Sequence, residues 1–237
     1  MSLPPLVVVP TYDERDNIGR VMTAVTGLGF HLLVVDDASP DGTADVVADR
    51  ATRVPGVALL RRPAKVGLGP AYAAGFAQGL AAGHSVICQM DADLSHDPTE
   101  LPELISRIER GAGLAIGSRY VPGGATEGWP AHRQALSRWG NRYATWILGI
   151  SIKDATAGFR AWSDEALTLA DPATCASTGY GFQVEMAWRA ITRGVDVVEV
   201  PITFRERTRG RSKMSAAIAL EAMVGVTRWG VRRRLER

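Results

Sequence analysis

The run "QMDADLSHDPTE", residues Gln89 to Glu100, sets four acidic residues and a histidine directly after the apolar "SVIC". Asp91 and Asp93 stand one residue apart. On an extended backbone leaving a strand at Met90, both carboxylates would point the same way. Two hard oxygen ligands on one side suit Mg2+ or Mn2+, which takes a carboxylate or two and leaves room for substrate phosphate oxygens. A glycosidase-like acid/base pair needs opposed carboxylates, which positions this close do not provide. Alone, D-x-D is a weak signal that also fits a plain polar loop. His96 stands open between a further metal ligand and a loop or capping residue. Asp97, Pro98 and Glu100 read as an N-cap, a first-turn proline and a capping box that open a helix.

Basic residues follow. Arg133 and Ser137 are four apart on an expected helix and share a face. Together with Arg119 they offer two guanidinium groups and a hydroxyl, a good receptor for phosphate, although one helix-surface arginine alone would mean little. Asp36 and Asp37 end an earlier apolar run. They fit either turn acids or carboxylates that hydrogen-bond a ribose hydroxyl or a base N–H. The run "RTRGRSK", with Arg207, Gly210 and Lys213, fits a solvated charge run or a lid closing over phosphate. A dinucleotide fingerprint is missing, because "PTYDERDN" stands where GxGxxG should follow the first strand. No GxxxxGK[ST] occurs either. Gly67-Leu68-Gly69 and "GAGLAIG" read as turns.

These residues need a scaffold, and the apolar pattern supplies one. Leu6–Val9, His31–Val35, Val57–Leu60, Ser85–Met90 and Leu114–Gly117 read as strands buried on both faces. Helical periodicity falls between them, at Asn17–Leu28, Thr43–Thr52, Pro70–Ala82 and Pro98–Arg110. Such alternation implies an α/β, doubly wound, mainly parallel sheet, with ligands at the carboxyl ends of its strands. "PTYDE", "DDASPDGT", "DADLSHD" and "SRYVPGG" all fall on that rim. Beyond Gly123 the pattern gives a helix around Ala131–Leu148 and a loop "SIKDATAGFRAW". A helix around Phe182–Arg193, a strand near Val195–Val200 and a last helix from about Ser215 follow.

The 237 residues fit one domain with a tail, and 46% hydrophobic with 22% charged residues is ordinary for a globular protein. The net charge of +2 hides a split. Residues 205–237 carry ten Lys/Arg and three Asp/Glu, a net +7, against −5 for residues 1–204. A basic tail of this kind faces an anionic partner. Cys88 and Cys175 form no CxxC or Cys/His cluster and read as reduced thiols of a cytosolic protein. "MSLPPLVVVP" reads as a first strand and not as a signal peptide. The most apolar late stretch, between Lys213 and Arg228, holds fourteen residues including Glu221. As a helix it reaches roughly 21 Å, short of the roughly 30 Å of a bilayer core.

Taken in order, "PTYDE", "VVDDASPDGT", "KVGLGPAY", "MDADLSHDP", "GSRYVPGG", "WPAHRQALS", "DATAGFRAW", "GYGFQVEM" and "FRERTRGRSKM" resemble the polyprenol-phosphate mannose synthases, the dolichol-phosphate mannose synthase group of inverting GT-A glycosyltransferases. The resemblance runs from Val7 to about Lys213. It implies a GT-A domain over residues 1–213, and a C-terminal amphipathic helix with a basic tail over 214–237. It further implies transfer of mannose from GDP-mannose to a polyprenyl phosphate, with Mg2+ or Mn2+. Pro10, Tyr12, Glu14, Val35 and Asp37 would line the guanine nucleoside site. Asp91, Ala92 and Asp93 would hold metal and donor diphosphate. Ser95 stands where relatives often carry Gln, so a contact there would run through water. Arg119, Arg133 and Ser137 would receive the lipid phosphate, making Asp91, Asp93 and Arg119 the catalytic set. Arg207 and Lys213 would close over the donor. The competing expectations are a UDP-sugar transferase acting on polyprenol phosphate, and a non-catalytic nucleotide or nucleic-acid binding module. No RNA-stacking motif supports the latter, so no nucleic-acid partner is expected. Attachment is expected to be peripheral, on the cytoplasmic face of the membrane, through the C-terminal helix to lipid or to a membrane protein.

Overall fold

A computed structural model describes residues 3–179, 181–206 and 223–231. Its elements run β1 (Leu6–Thr11), α1 (Arg15–Gly27), β2 (His31–Asp36), α2 (Thr43–Ala51), β3 (Val57–Arg61), α3 (Leu68–Ala81) and β4 (Val86–Gln89). Then come α4 (Leu101–Glu109), β5 (Leu114–Ser118), β6 (Ala125–Glu127), α5 (Ala131–Leu148), β7 (Arg160–Ser163), α6 (Asp164–Ala170), α7 (Gly181–Thr192), β8 (Val197–Pro201) and β9 (Thr203–Arg205). Seven strands form one sheet in the order β3-β2-β1-β4-β7-β5-β8, and β6 pairs with β9 apart from it. All pairs in the large sheet are parallel except those of β7. This is the α/β, mainly parallel sheet that the apolar alternation implies.

Alternate residues of each strand feed opposite cores. Val7, Val9, Leu32 and Val34 pack with Ile18, Val21, Leu104 and Ile105 under α1 and α4. Leu6, Val8, Leu33 and Val35 pack with Tyr72, Phe76, Phe182 and Met186 under α3 and α7. Helix α3 lies close because residue 75 is glycine; a Cβ there would come 2.4 Å from Val8 Cγ1.

Three expectations need correction. "SIKDATAGFRAW" is not all loop: Arg160–Ser163 inserts antiparallel between β4 and β5, pairing Arg160 with Gln89 and Ile116. Its four residues are too few and too polar to show a period, and α6, which follows it, has only seven. Second, β3 is an edge strand, and Ala58, Leu59 and Leu60 are only half-buried. Third, Asp97 accepts from Thr99 N (3.0 Å) as the N-cap expects, but Glu100 closes no capping box. Its Oε1 accepts from Thr203 N (3.0 Å) and so ties the helix start to β9.

The C-terminal segment is partly docked on the body. Residues 223–231 are helical. Val226 is buried in the core, and Trp229 stacks on Trp188 with ring centroids 6.0 Å apart. Among the described residues no helix is long and apolar enough to cross a membrane.

Candidate active site

The chain leaves β4 at Gln89 and turns instead of continuing extended through Asp93, which corrects the expected geometry. The turn is closed by Asp93 itself, whose Oδ1 accepts from Ser95 N (3.0 Å), with Leu94 at φ +60°. The two carboxylates differ. Asp93 is 8% exposed, whereas the Asp91 side chain is 35% exposed. Tyr72 Oη donates to Asp91 Oδ1 (3.3 Å); burial first, then Asp91, raises the phenol well above its ordinary pKa, so it stays a donor. Both carboxylates act electrostatically on Tyr72 and on His96, so they remain neighbours across the turn.

His96 is a brace. It is buried, stacks on Phe159 (4.9 Å) and meets Phe204 edge-on (5.3 Å). Its Nδ1 accepts from Asp91 N (3.4 Å). Burial lowers its pKa despite the opposing pull of Asp91 and Asp93, so the ring is neutral. Among the described residues no group of three or more His, Cys, Asp or Glu forms a metal cage. Two carboxylates beside the buried Ser95 Oγ, which lacks a hydrogen-bond partner among the described residues, nonetheless fit a hard cation that completes its shell with phosphate and water.

At the ends of β1 and β2 the acids divide. Asp36 accepts from Thr11 Oγ1 (2.9 Å), Ser39 N (2.9 Å) and Ser39 Oγ (2.6 Å), so it holds the turn. Asp37 pairs with Arg62 at 2.6 Å, a partner the sequence reading missed. Lys65 Nζ lies 3.6 Å from the centre of the Tyr12 ring, a cation–π contact. Glu14 Oε2 accepts from Asn17 Nδ2 (3.0 Å), and Pro10 is half-buried. The Val35 side chain is fully buried in the core cluster, so it does not line a pocket as expected.

The arginines are already engaged. Arg119 makes a two-pronged bond to Asp154, Nε to Oδ2 (2.7 Å) and Nη2 to Oδ1 (2.6 Å), and Nη2 also donates to Thr156 Oγ1 (2.8 Å). Nη1 makes no hydrogen bond among the described residues. The edge that carries Nε and Nη2 is therefore occupied, leaving Arg119 the two N–H groups of Nη1 and its charge for phosphate. Arg133 pairs with Glu206, and both side chains are 35% exposed. Its guanidinium lies 4.1 Å from the Trp129 ring centre and that of Arg119 lies 5.6 Å from it, so Trp129 joins the two arginines. Ser137 Oγ accepts from Tyr120 Oη (2.7 Å). Arg207 and Lys213 lie outside the described residues.

Several supporting residues carried no recognisable local signal. Glu199 accepts from Lys153 N (2.8 Å) and Asp154 N (2.9 Å), presenting Asp154 to Arg119. Arg160 is fully buried and donates to the carbonyls of Ala155 (2.8 Å), Ala157 (2.8 Å) and Gln183 (2.9 Å). Burial pulls its pKa down to about 10, so it stays charged at neutral pH. It fastens the 154–160 segment over the carboxylate turn. "DATAGFRAW" marked the segment without revealing what it holds.

A profile described as "Glycosyl transferase family 2" matches residues 6–168. The chain belongs to this family. It is 50% identical over 237 aligned residues to the polyprenol monophosphomannose synthase of Mycolicibacterium smegmatis, covering 98% of this chain and 89% of that protein. It is 48% identical to the undecaprenyl-phosphate mannosyltransferase of Micrococcus luteus, covering 98% and 96%. The family-2 fold is also seen in glucosyl-3-phosphoglycerate synthase from Mycobacterium tuberculosis, solved with Mn2+, UDP-glucose and phosphoglyceric acid. That structure superposes with TM-score 0.72 at 17% identity, over 97% of this chain and 80% of that one. A mannosyltransferase from Pyrobaculum calidifontis with GDP-Man and Mn2+ gives TM-score 0.63 at 15% identity, over 100% and 65%. The chain is a family-2 glycosyltransferase, as the ordered motifs implied.

Proposed function

We propose that this chain transfers mannose from GDP-mannose to a polyprenyl monophosphate, with inversion at the anomeric carbon. One observation carries the reading. Asp91, Asp93 and Arg119 all lie within electrostatic reach of the neutral His96, and Asp91 within reach of Arg119, with Arg133 beyond Trp129. The names borne by the two relatives near 50% identity add the mannosyl donor and the lipid phosphate.

Pro10, Tyr12, Glu14 and Asp37 line the nucleoside end, and Arg207 and Lys213 contribute positive charge for the donor diphosphate. Asp91, Asp93 and, through water, Ser95 hold the diphosphate end. Those residues would hold a divalent ion, Mg2+ or Mn2+, whose charge would offset that of the leaving diphosphate. A lipid monophosphate is largely ionised at pH 7, its second pKa being about 6, so it attacks without a general base. The residues must instead bring two anions together. Arg133 exchanges its half-exposed Glu206 partner for the lipid phosphate, because such pairs are worth about 0–1 kcal/mol. Arg119, locked to Asp154, adds Nη1 and a fixed positive charge, and Ser137 adds a hydroxyl. A single displacement on the opposite face from the diphosphate inverts the sugar.

The acceptor sets the location, at the cytoplasmic face of a membrane. Helix α5 bears Arg133 and Ser137 and exposes Leu136, Trp139 and Trp146, the kind of surface that sits at headgroup level. On this reading residues 1–213 are the transferase domain, and 214–237 add basic charge for anionic lipid or a membrane-protein partner. The test is incubation of labelled GDP-mannose with a short polyprenyl phosphate, in Mg2+ or Mn2+ and then with chelator. The expected product is acid-labile lipid-linked mannose that disappears with chelator and with Asp93→Ala. No product, or product from UDP-sugars instead, would overturn the donor assignment.

A further inference from the structure

A short chain of hydrogen bonds begins at Trp162, whose indole N–H can only donate. It donates to Gln89 Oε1 (2.7 Å). Gln89 must then present its Nε2 onward, and it donates to Gln183 Oε1 (3.1 Å). The orientation of the Gln183 amide is thus dictated from the core: oxygen toward Gln89, nitrogen the other way. That nitrogen is buried, on a residue 2% exposed, and has no hydrogen-bond partner among the described residues. Buried amide N–H groups are seldom left so, because the lost solvation is not recovered.

Gln183 Nε2 faces the bare Cα of Gly158. A Cβ built there would lie 3.6 Å from Gln183 Nε2 and 3.6 Å from each of Asp91 Oδ1 and Oδ2. Because residue 158 is glycine, a gap remains, bounded by a donor on one side and a carboxylate on the other. An oxygen seated against that Cα can accept from Gln183 and donate to Asp91. A hydroxyl does both, whereas a phosphate or carbonyl oxygen cannot donate and an ammonium cannot accept.

We infer that Gln183 Nε2 and the Asp91 carboxylate hold one hydroxyl of the donor hexose in the gap at Gly158, making Gln183 a sugar-positioning residue. This rests on the proposed donor site, in which Asp91 stands at the diphosphate and the hexose begins one bond beyond it. Gly158 leaves room for the hydroxyl, and Trp162 and Gln89 aim the amide. The nucleotide itself does not touch Gln183.

The test compares binding of GDP and of GDP-mannose, by calorimetry with Mn2+ present, in the wild type, Gln183→Met and Gly158→Ala. Gln183→Met removes the donor at similar length but also leaves Gln89 unpaired. Gly158→Ala spares that pair and fills the gap through contacts of ordinary van der Waals length. In both variants the Kd for GDP-mannose should rise about three- to tenfold while that for GDP stays within about twofold. The kcat/KM for GDP-mannose should fall at least as far. A structural role, or a gap that only holds water, would shift both ligands together or neither, and that outcome overturns the inference. The wild-type measurement separates the underlying reading: no preference for GDP-mannose over UDP-glucose would defeat the donor assignment. The same variants compared on UDP and UDP-glucose would then decide the role of Gln183.

Discussion

Asp154→Asn isolates the charge that holds Arg119. The Asp154 carboxylate is wholly buried and accepts from Arg119 N (3.0 Å), Nε (2.7 Å) and Nη2 (2.6 Å) and from Thr156 Oγ1 (3.2 Å). Asparagine keeps the shape, but whichever way its amide is turned, one N–H2 meets an N–H of the guanidinium. The Arg119 charge, 8% exposed, then has no counterion in hydrogen-bond contact. Removing one partner of a buried pair costs about 3–5 kcal/mol. For a chain of this size each kcal/mol shifts Tm by about 2–4 °C, so the variant should melt about 6–20 °C below wild type. The double variant Arg119→Met/Asp154→Leu removes both charges. Buried pairs replaced by apolar groups are often neutral in stability, so it should recover most of the loss while staying inactive. Urea unfolding of both single variants and the double variant completes the cycle. A loss below about 1 kcal/mol in Asp154→Asn, or additive effects in the double variant, would refute the claim that this pair is energetically buried and coupled.

Acidification should show the same pair. Burial alone would raise the Asp154 carboxyl, but Arg119 and its hydrogen bonds outweigh that and hold it below its ordinary 3.8. Its contribution is therefore complete above the unfolded value and is lost as pH falls through the lower folded one. Urea midpoints should drop below about pH 4, and Asp154→Asn should flatten that limb. Arg160→Met leaves three buried carbonyls without their donor. It should cost at least about 3 kcal/mol in urea unfolding, and a stable variant would contradict its bracing role. Glu206→Ala removes the carboxylate that competes for Arg133. The acceptor KM should fall up to about fivefold with Tm unchanged, since the pair is half-exposed, and a raised KM would show that Glu206 positions Arg133 instead.

The contrast between β1 and β7 explains what was legible. "LVVVP" is a continuous apolar run that burial on both sheet faces requires, and it is visible without neighbours. "RAWS" lies just as deep, but its burial is made tolerable by partners distant in the chain. Arg160 is satisfied by three carbonyls and Trp162 by Gln89, so nothing local marks a strand. His96 behaves likewise: beside two aspartates it fits a ligand, and only the packing of Phe159 and Phe204 makes it a neutral brace.

By itself the sequence determined the parallel strands of the sheet and the helices between them, the rim on which polar motifs gather, and the family, because apolar runs, helical period and ordered short motifs are local properties. Only the tertiary structure decided how the residues of that rim are used. It turned the Asp91–Asp93 backbone, locked Arg119 to Asp154, paired Arg133 with a half-exposed Glu206 and aimed Gln183 at the gap beside Asp91. Each of those outcomes depends on which charges and donors meet across tens of residues, and pairing at that distance leaves no period in the chain.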